Sequence, residues 1–229
     1  PVLIATAARH GIALECIVAD YGQAVQDALA ADSPINRGRP DAVLIALDYR
    51  GLPLRAVPGD ARGADHSVAA ALAHLDMIRT GIRKNGNAVC IVQTIPRPAE
   101  TLFGNLDAIL PGSLRHVIDA ANRRIVDSIA SSEDLLFDVA GLAETVGLAA
   151  WHDHRLWNLA KMPFSSTYLP LYAEHACRIL AALHGKNRRC LILDLDDTLW
   201  GGVIGDDGLE GIVIGPGDAT GEAHLSLQQ

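Results

Sequence analysis

Short apolar runs alternate with helical patterns along most of this 229-residue chain. The run NAVCIVQTI, for example, lies between two segments whose apolar residues recur at helical spacing. Strands separated by helices are joined by crossover connections, so they lie parallel in one sheet and the helices cover its two faces. The pattern therefore predicts a three-layer α/β domain built on a parallel sheet.

Several of the predicted elements have recognisable ends. PVLIATAARHG is predicted as a helix, with Pro1 in its first turn and Gly11 as its stop. Ser113 is predicted to cap a helix that has one apolar face. Strands are predicted in IALECIVAD, RPDAVLIALD, NAVCIVQTI, DLLFDVA and CLILD, and further helices in GQAVQDALAA and in residues 65–86 and 167–184.

Composition and charge narrow the class of protein. No apolar run approaches the roughly 20 residues that span a bilayer, and no signal peptide is visible, so we expect a cytoplasmic protein without membrane contact. The net charge is -8, and residues 190–229 hold eight acidic residues and no Lys or Arg. A chain without a basic stripe is not expected to bind nucleic acid. The charge of this purely acidic segment must be balanced by a bound cation or by basic residues from another part of the protein.

The acidic segment begins with CLILDLDDTLWGG, residues 190–202. If CLILD is a buried strand, Asp194 and Asp196 lie on one side of its carboxyl end, where open α/β sheets bind ligands. Crowded carboxylates favour a cation, and Mg²⁺ with phosphate as co-ligand suits hard oxygens. Asp194 could then attack phosphorus, while Asp196 protonates the leaving oxygen and afterwards activates water. A solvated acidic turn is the alternative interpretation.

The same residues carry a family resemblance. DLDDTLW resembles the DxDxT motif of the haloacid dehalogenase (HAD) superfamily, and DLDDTLWGGVIGDDGLEGIVIG is similar to FkbH-like proteins. The resemblance implies Asp194 as the nucleophile and Asp196 as the acid/base, both at Mg²⁺. It assigns Thr198, Gly201 and Gly202 to substrate binding. Residues 199–204 and 209–214 flank GDDG and are predicted as a hairpin, either a flap over the site or an ordinary surface hairpin.

Cys190 is a possible acyl carrier. On a strand it would lie about 13 Å from Asp194, at the opposite end and among apolar neighbours that blunt a thiol's reactivity. The nearby Arg188 and Arg189 would have the opposite effect, because positive charge lowers the pKa of a thiol and makes it more reactive. We therefore favour a packed structural thiol for Cys190 over the carrier role. The four cysteines, Cys16, Cys90, Cys177 and Cys190, have no zinc spacing and are expected to be reduced and mostly buried.

The rest of the chain also resembles FkbH-like proteins, in which an SGNH-hydrolase-like domain precedes the HAD domain. PRPAETLFGNLD and WHDHRLWNLAKMPFS look like that N-terminal region. SGNH hydrolases use an Asp-x-x-His pair, which His152, Asp153 and His154 do not reproduce, so we do not expect esterase chemistry. Five of the ten aromatic residues lie between residues 151 and 172, and we expect them to pack a loop against a helix.

The predicted organisation is an SGNH-like (flavodoxin-like) α/β domain over 1–165, a connecting helix and linker over 166–186, and the start of a Rossmann-like HAD domain over 187–229. The most probable boundary is GKNRR, residues 185–189. The chain is expected to be truncated at both ends. The first predicted element is a helix, although such a fold usually starts with a strand, and the last is only the first part of a helix.

The resemblance implies an enzyme that dephosphorylates 1,3-bisphosphoglycerate and loads the glyceryl unit onto an acyl carrier protein for polyketide biosynthesis. Its expected partners are the carrier protein and a phosphorylated three-carbon substrate. A generic Mg²⁺-dependent HAD phosphatase and a non-catalytic carrier-docking domain are the alternatives. The 229-residue chain alone is expected to be inactive, because its acidic segment has no lysine to balance the charge.

Overall fold

The structure, a computed structural model, describes residues 1–186 and 190–229. The chain divides into two compact units, Pro1–Lys186 and Asn187–Gln229. The predicted boundary in residues 185–189 falls largely on residues 187–189, which lie outside the described residues. Within the described part of the chain, no helix combines the length and the apolarity needed to cross a membrane.

The first unit is built on a parallel sheet of three strands. The strands are β1 (Ala42–Ile45), β2 (Val89–Gln93) and β3 (Leu135–Phe137), in the order β1-β2-β3. β2 is the central strand and is parallel to both of its neighbours. The predicted α/β architecture with a parallel sheet is therefore confirmed.

Helices cover both faces of this sheet. Alternate residues of β2 enter two different hydrophobic clusters, Cys90 and Val92 in one and Ile91 in the other. The helices of the unit are α1 (Val2–Arg9), α2 (Ala24–Leu29), α3 (Pro34–Arg37), α4 (Ala61–Gly86), α5 (Leu114–Ala130), α6 (Val139–Val146), α7 (Leu148–Trp151), α8 (His154–Ala160) and α9 (Leu169–Leu183), with 3-10 turns at Gly104–Ala108 and Ser166–Tyr168. The first cluster includes residues of α2, α4 and α5, and the second includes residues of α6, α7 and α9.

Helix ends follow the capping chemistry of the sequence. The Ser113 hydroxyl accepts a hydrogen bond from the His116 N–H at 3.1 Å, as predicted for the start of α5. α1 ends before Gly11, whose φ of 68° suits a glycine. α4 ends at Gly86 as predicted, and the next residue, Asn87, has the left-handed conformation that often follows a helix.

α9 belongs to the first unit rather than to a connection between domains. It packs against α1 and β3, and its Tyr172 hydroxyl donates to Gln93 Oε1 on β2 at 2.9 Å. The interpretation of residues 166–186 as a connecting segment is corrected accordingly. The physical reason is that the apolar face of α9 supplies one of the two covers that a parallel sheet needs.

A buried carboxylate ties α4 to the strands. Asp134 accepts from Arg79 Nε at 2.6 Å, from Arg83 at 2.8 Å and from the Cys90 N–H at 3.1 Å. Burial opposes ionisation of Asp134, but the hydrogen bonds from Arg79 and the Cys90 N–H outweigh it and lower the pKa of Asp134. Burial, and next the Asp134 carboxylate, raise the pKa of the Cys90 thiol to about 11.

Two predicted strands are wrong. Residues 12–20 and 190–195 form no regular secondary structure, and Val18 and Ile192 are 85% and 89% exposed. A strand needs a hydrogen-bonded neighbour, and in the described part of the chain the sheet consists of β1, β2 and β3 alone. Local apolar character without a partner strand leaves these segments irregular and largely open to water.

Over residues 190–229, the helical segments of the second unit are α10 (Ile204–Gly211), which has a kink at Gly208, and α11 (Ala219–Gln228). The predicted two-residue turn at GDDG does not form, because residues 204–207 make a helical turn that Gly208, with a φ of 69° and a ψ of -179°, interrupts. Asp207 accepts from the Val203 N–H at 2.8 Å and so caps the helix that replaces the turn. A single antiparallel bridge, Gly201 to Val213, remains of the predicted pairing.

Candidate functional site

The DLDDTLWGG stretch forms a closed loop. Asp197 has a φ of 53°, and its carboxylate accepts from the Gly202 N–H at 2.7 Å. The Asp197 N–H in turn donates to the Gly202 carbonyl at 3.3 Å. Asp197 is thus the residue that closes the loop, since it ties the two ends of residues 197–202 together.

The two predicted catalytic carboxylates differ in their surroundings. Asp196 Oδ1 accepts from Trp200 Nε1 and from the Ile204 N–H, both at 3.1 Å. Asp194 is exposed, and its Oδ1 accepts from the neighbouring Leu195 N–H at 2.8 Å. The fold therefore holds Asp196 in place and leaves Asp194 open to solvent.

The three predicted substrate-binding residues build the loop and its support. The Thr198 carbonyl is bonded by His224 Nδ1 of α11 at 3.1 Å. Gly201 exchanges two backbone hydrogen bonds with Val213, at 3.0 and 2.8 Å. Gly202 has a φ of 94°, and a Cβ there would lie 3.0 Å from Asp207 Oδ2. Both features favour glycine at position 202.

The donor set suits Mg²⁺ in part. Among the residues that the structure describes, no group of three or more His, Cys, Asp or Glu side chains is placed to hold a metal ion. Mg²⁺, however, usually keeps several waters and takes one or two carboxylates together with substrate phosphate oxygens. Asp194 and Asp196 could supply those carboxylates, and no Lys or Arg in residues 190–229 competes with a cation.

Cys190 is exposed, so its interpretation as a packed structural thiol is wrong. The interpretation depended on a buried strand over residues 190–194, which does not form. Arg188 and Arg189, the basic neighbours weighed in that argument, lie outside the described residues. The other cysteines divide in the same way, with Cys90 and Cys177 buried and Cys16 exposed.

A second candidate site lies in the first unit, at the carboxyl ends of its strands. A cavity of about 310 Å³ opens there, next to Ala46 and Asp48 after β1, Gln93 at the end of β2 and Val139 after β3. This edge of a parallel sheet is where open α/β folds bind ligands. Sequence reasoning missed the cavity because its lining residues are spread from residue 2 to residue 173.

The aromatic residues near this cavity pack as predicted. Trp151 stacks on Phe164 with ring centroids 4.7 Å apart, and Phe164 stacks on Tyr172 at 5.0 Å. Phe137 of β3 lies 4.8 Å from Tyr172. The rings join the loop before α9 to α7, α9 and the sheet.

The residues of WHDH position loops. His152 Nε2 contacts the Arg97 carbonyl at 2.8 Å, and Asp153 caps α8 through the N–H groups of residues 155 and 156. His154 contacts Glu100 at 2.7 Å, and this hydrogen bond is the main cause of the lowered pKa of the exposed Glu100 carboxyl. Each side chain is bonded to a different partner, so the three do not form one constellation.

Comparisons with known proteins agree with this fold. The model of the family described as FkbH, N-terminal domain, matches residues 2–181. A crystal structure of the N-terminal part of the protein BF1531 from Bacteroides fragilis, containing a phosphatase domain and complexed with Mg, superimposes with a TM-score of 0.83 at 24% identity. The match covers 99% of this chain and 60% of that one. At this identity the likeness shows the fold. No curated protein matches the chain.

Proposed function

Because the chain belongs to the family of FkbH N-terminal domains, we propose that the protein is an FkbH-like enzyme which removes phosphate from 1,3-bisphosphoglycerate and transfers the glyceryl unit to an acyl carrier protein. The observation that carries the proposal is the position in the chain of the DLDDTLWGG stretch, residues 194–202, called the aspartate loop below. Asp194 and Asp196 follow the family's residues 2–181 in the same chain, just before the loop of residues 197–202 that Asp197 closes.

The geometry supports different roles for the two aspartates. Asp194 is exposed, so its free carboxylate oxygen can bond to the phosphorus of a bound phosphate group. Asp196 is oriented by Trp200 and the Ile204 N–H, so its second oxygen can hold the proton that the leaving oxygen takes up. Mg²⁺ held by these carboxylates would neutralise charge on the phosphoryl group.

The acyl step needs a thiol that gives up its proton and attacks the C1 carbonyl carbon, so that the acyl phosphate leaves as phosphate and a thioester forms. The phosphate that Asp194 removes is therefore the ester phosphate at C3. The phosphopantetheine thiol of the carrier protein is the expected acceptor. Cys190 is a second candidate for a transient thioester, because its exposure allows a substrate to reach it. Mass spectrometry of the protein after reaction would show a glyceryl adduct on Cys190, lost in Cys190→Ser, if the group passes through this residue.

The proposal is tested with the longest form of the protein that expresses, Mg²⁺, 1,3-bisphosphoglycerate and a phosphopantetheinylated carrier. We expect a glyceryl adduct on the carrier by intact mass, and a loss of at least about a hundredfold in Asp194→Asn. Asp206→Asn is the matched control, since Asp206 is an exposed acid in the same unit. Phosphate release without carrier loading would support a generic phosphatase instead.

The 229-residue chain alone is expected to release no phosphate from the same substrate. Residues 190–229 contain no Lys or Arg to balance the charge that develops on a transferring phosphoryl group. Mg²⁺-dependent turnover by the purified chain that disappears in Asp194→Asn would contradict this. Carrier binding by residues 1–185 without turnover would favour the docking alternative, which the compactness of the first unit makes testable.

A further inference from the structure

The cavity in the first unit is lined by residues of that unit alone, so it is a different candidate site from Asp194 and Asp196. Its volume of about 310 Å³ is at the small end of the range for ligand sites, roughly 300–1,000 Å³. Apolar and aromatic side chains form most of its wall, among them Leu3, Leu44, Trp151 and Phe164. It can therefore enclose a small ligand that has an apolar body.

The aromatic part of the wall is held in place by stacking between its rings and by a backbone hydrogen bond. Trp151 is 1% exposed and Phe164 and Tyr172 are each 8% exposed, and the three rings stack in sequence. The Ser165 N–H donates to the Trp151 carbonyl at 2.7 Å, which fastens the segment carrying Phe164. A pre-formed wall of this kind lowers the entropy cost of binding.

The charged group in the lining is already neutralised. Asp48 accepts from the Arg50 N–H at 2.9 Å, from the Gly51 N–H at 3.1 Å and from Arg50 Nη1 at 3.0 Å. The Arg50 guanidinium also lies over the rings of Tyr49 and Trp157, at 4.4 and 4.2 Å from their centroids. An anionic ligand would meet the Asp48 carboxylate in mostly apolar surroundings that disfavour charge, and Arg50, which does not line the cavity, is already paired with that carboxylate.

The polar groups that remain in the lining offer acceptor atoms. The Tyr172 hydroxyl donates its hydrogen to Gln93 Oε1, so its oxygen is left as an acceptor. His152 Nε2 faces the Arg97 carbonyl, which can only accept, so Nε2 carries the hydrogen and the other ring nitrogen accepts in the neutral ring. Both residues line the cavity, so a ligand hydroxyl that reaches either atom can donate to it.

From these observations we infer that the cavity at the carboxyl ends of β1, β2 and β3 is a binding site for a small uncharged alcohol with an apolar or aromatic body. The inference is independent of the proposed phosphoryl and acyl chemistry, since it rests on residues of the first unit alone. The apolar wall supplies the affinity, and the acceptor atoms of Tyr172 and His152 select the hydroxyl over a carboxylate.

The test titrates the 229-residue chain with benzyl alcohol and with benzoate, which share a ring and differ in charge. Nuclear magnetic resonance detects binding through the Trp151 indole and Tyr172 ring signals. We expect benzyl alcohol to bind at least about tenfold more tightly than benzoate, because the carboxylate must lose its hydration. Equal or tighter binding of benzoate, or no saturable shift of these signals with benzyl alcohol, overturns the inference.

A cavity-filling variant locates the site. Ala46 lines the cavity and is itself exposed, so Ala46→Leu should occupy the space and weaken benzyl alcohol about tenfold without disturbing the core. Ala70→Leu, on an exposed position of α4, is the matched control and should bind like the wild type. If Ala46→Leu fails to fold, Val2→Phe narrows the cavity from α1. Unchanged affinity in the folded cavity-filling variant overturns the assignment.

Discussion

The apolar run at Val89–Gln93 and the apolar run at residues 190–195 have similar sequences and opposite environments. The first is the central strand of the sheet, and its Cys90 and Ile91 are 0% and 3% exposed. In the second, Leu191 and Ile192 are 79% and 89% exposed and no strand forms. β2 has a parallel neighbour on each side, whereas no strand of the described residues pairs with 190–195.

The two runs show that an apolar segment becomes a strand only where its backbone groups find partners. Each unpaired N–H and C=O that leaves water without a hydrogen bond costs free energy. A run flanked by strands can bury its side chains and satisfy its backbone together, while a run without neighbours can do neither. The following predictions test this contrast, in order of decreasing expected effect.

Hydrogen exchange should separate the two runs most strongly. Amides of β2 are expected to exchange only on global unfolding, which for a domain requires about 5–15 kcal/mol. Amides of residues 190–195 are expected to exchange with almost no protection. Equal protection in the two runs, measured by mass spectrometry of peptides, would show that residues 190–195 have found a partner surface.

Removal of the buried carboxylate should have the largest effect among substitutions in the first unit. Asp134→Ala leaves the Arg79 guanidinium, only 9% exposed, without its main partner, and we expect a loss of about 3–5 kcal/mol in urea unfolding. Asp76→Ala is the control, because Asp76 pairs with the same arginine from a position 56% exposed, and should cost about 0–1 kcal/mol. Similar costs for both would contradict the structure.

A pair of identical substitutions compares buried with exposed isoleucine. Ile118 is 0% exposed in the first cluster, so Ile118→Ala should cost about 2–5 kcal/mol. Ile192→Ala should change the unfolding free energy of the chain by less than about 0.5 kcal/mol. A large cost at Ile192 would mean that its side chain is buried in solution.

The stability of the loop at residues 197–202 should depend on Gly202. Gly202→Ala places a Cβ at a φ of 94° and close to Asp207, and is expected to destabilise the loop by about 1–3 kcal/mol. Trp200 fluorescence on heating reports the change. Gly205→Ala is the control, since a Cβ there meets nothing within 4 Å. A stable Gly202→Ala would show that the loop can open without cost.

The smallest expected effect is a pH dependence that arises at Asp134. Its pKa is lower in the folded protein than in the unfolded chain, so its contribution is complete above the ordinary Asp pKa of about 3.9. The contribution falls as the pH drops through the folded-state pKa. The stability difference between the wild type and Asp134→Asn should thus be constant from pH 7 to about 5 and shrink below about pH 4. A decrease already at neutral pH would point to another group.

Much of the first unit could be predicted from the sequence because its signals are local. The spacing of apolar residues in α4 and α5 and the Ser113 cap predicted those helices, and the strand–helix order predicted a parallel sheet. The aspartate loop was also visible, since its residues are adjacent in the chain. Their roles in catalysis and metal binding remain predictions.

The misses have a common cause in distant contacts. Residues 12–20 carry strand character, but whether a neighbour lies beside them depends on the rest of the sheet. The predicted arms pair at Gly201 and Val213, but the tight turn between them is replaced by a helical turn in which Asp207 accepts from the Val203 N–H. Cys190 was misassigned because its burial depended on a strand that needs partners.

Local patterns in the sequence were enough to predict which residues favour helices, where α5 begins, and that the strands run parallel, because these properties depend on neighbours within a few positions. Only the tertiary structure decided which apolar runs are buried, that α9 covers the sheet, and that residues from α1 to α9 enclose one cavity. Those outcomes depend on hydrogen bonds and packing between residues far apart in the chain, and local periodicity carries no information about such partners.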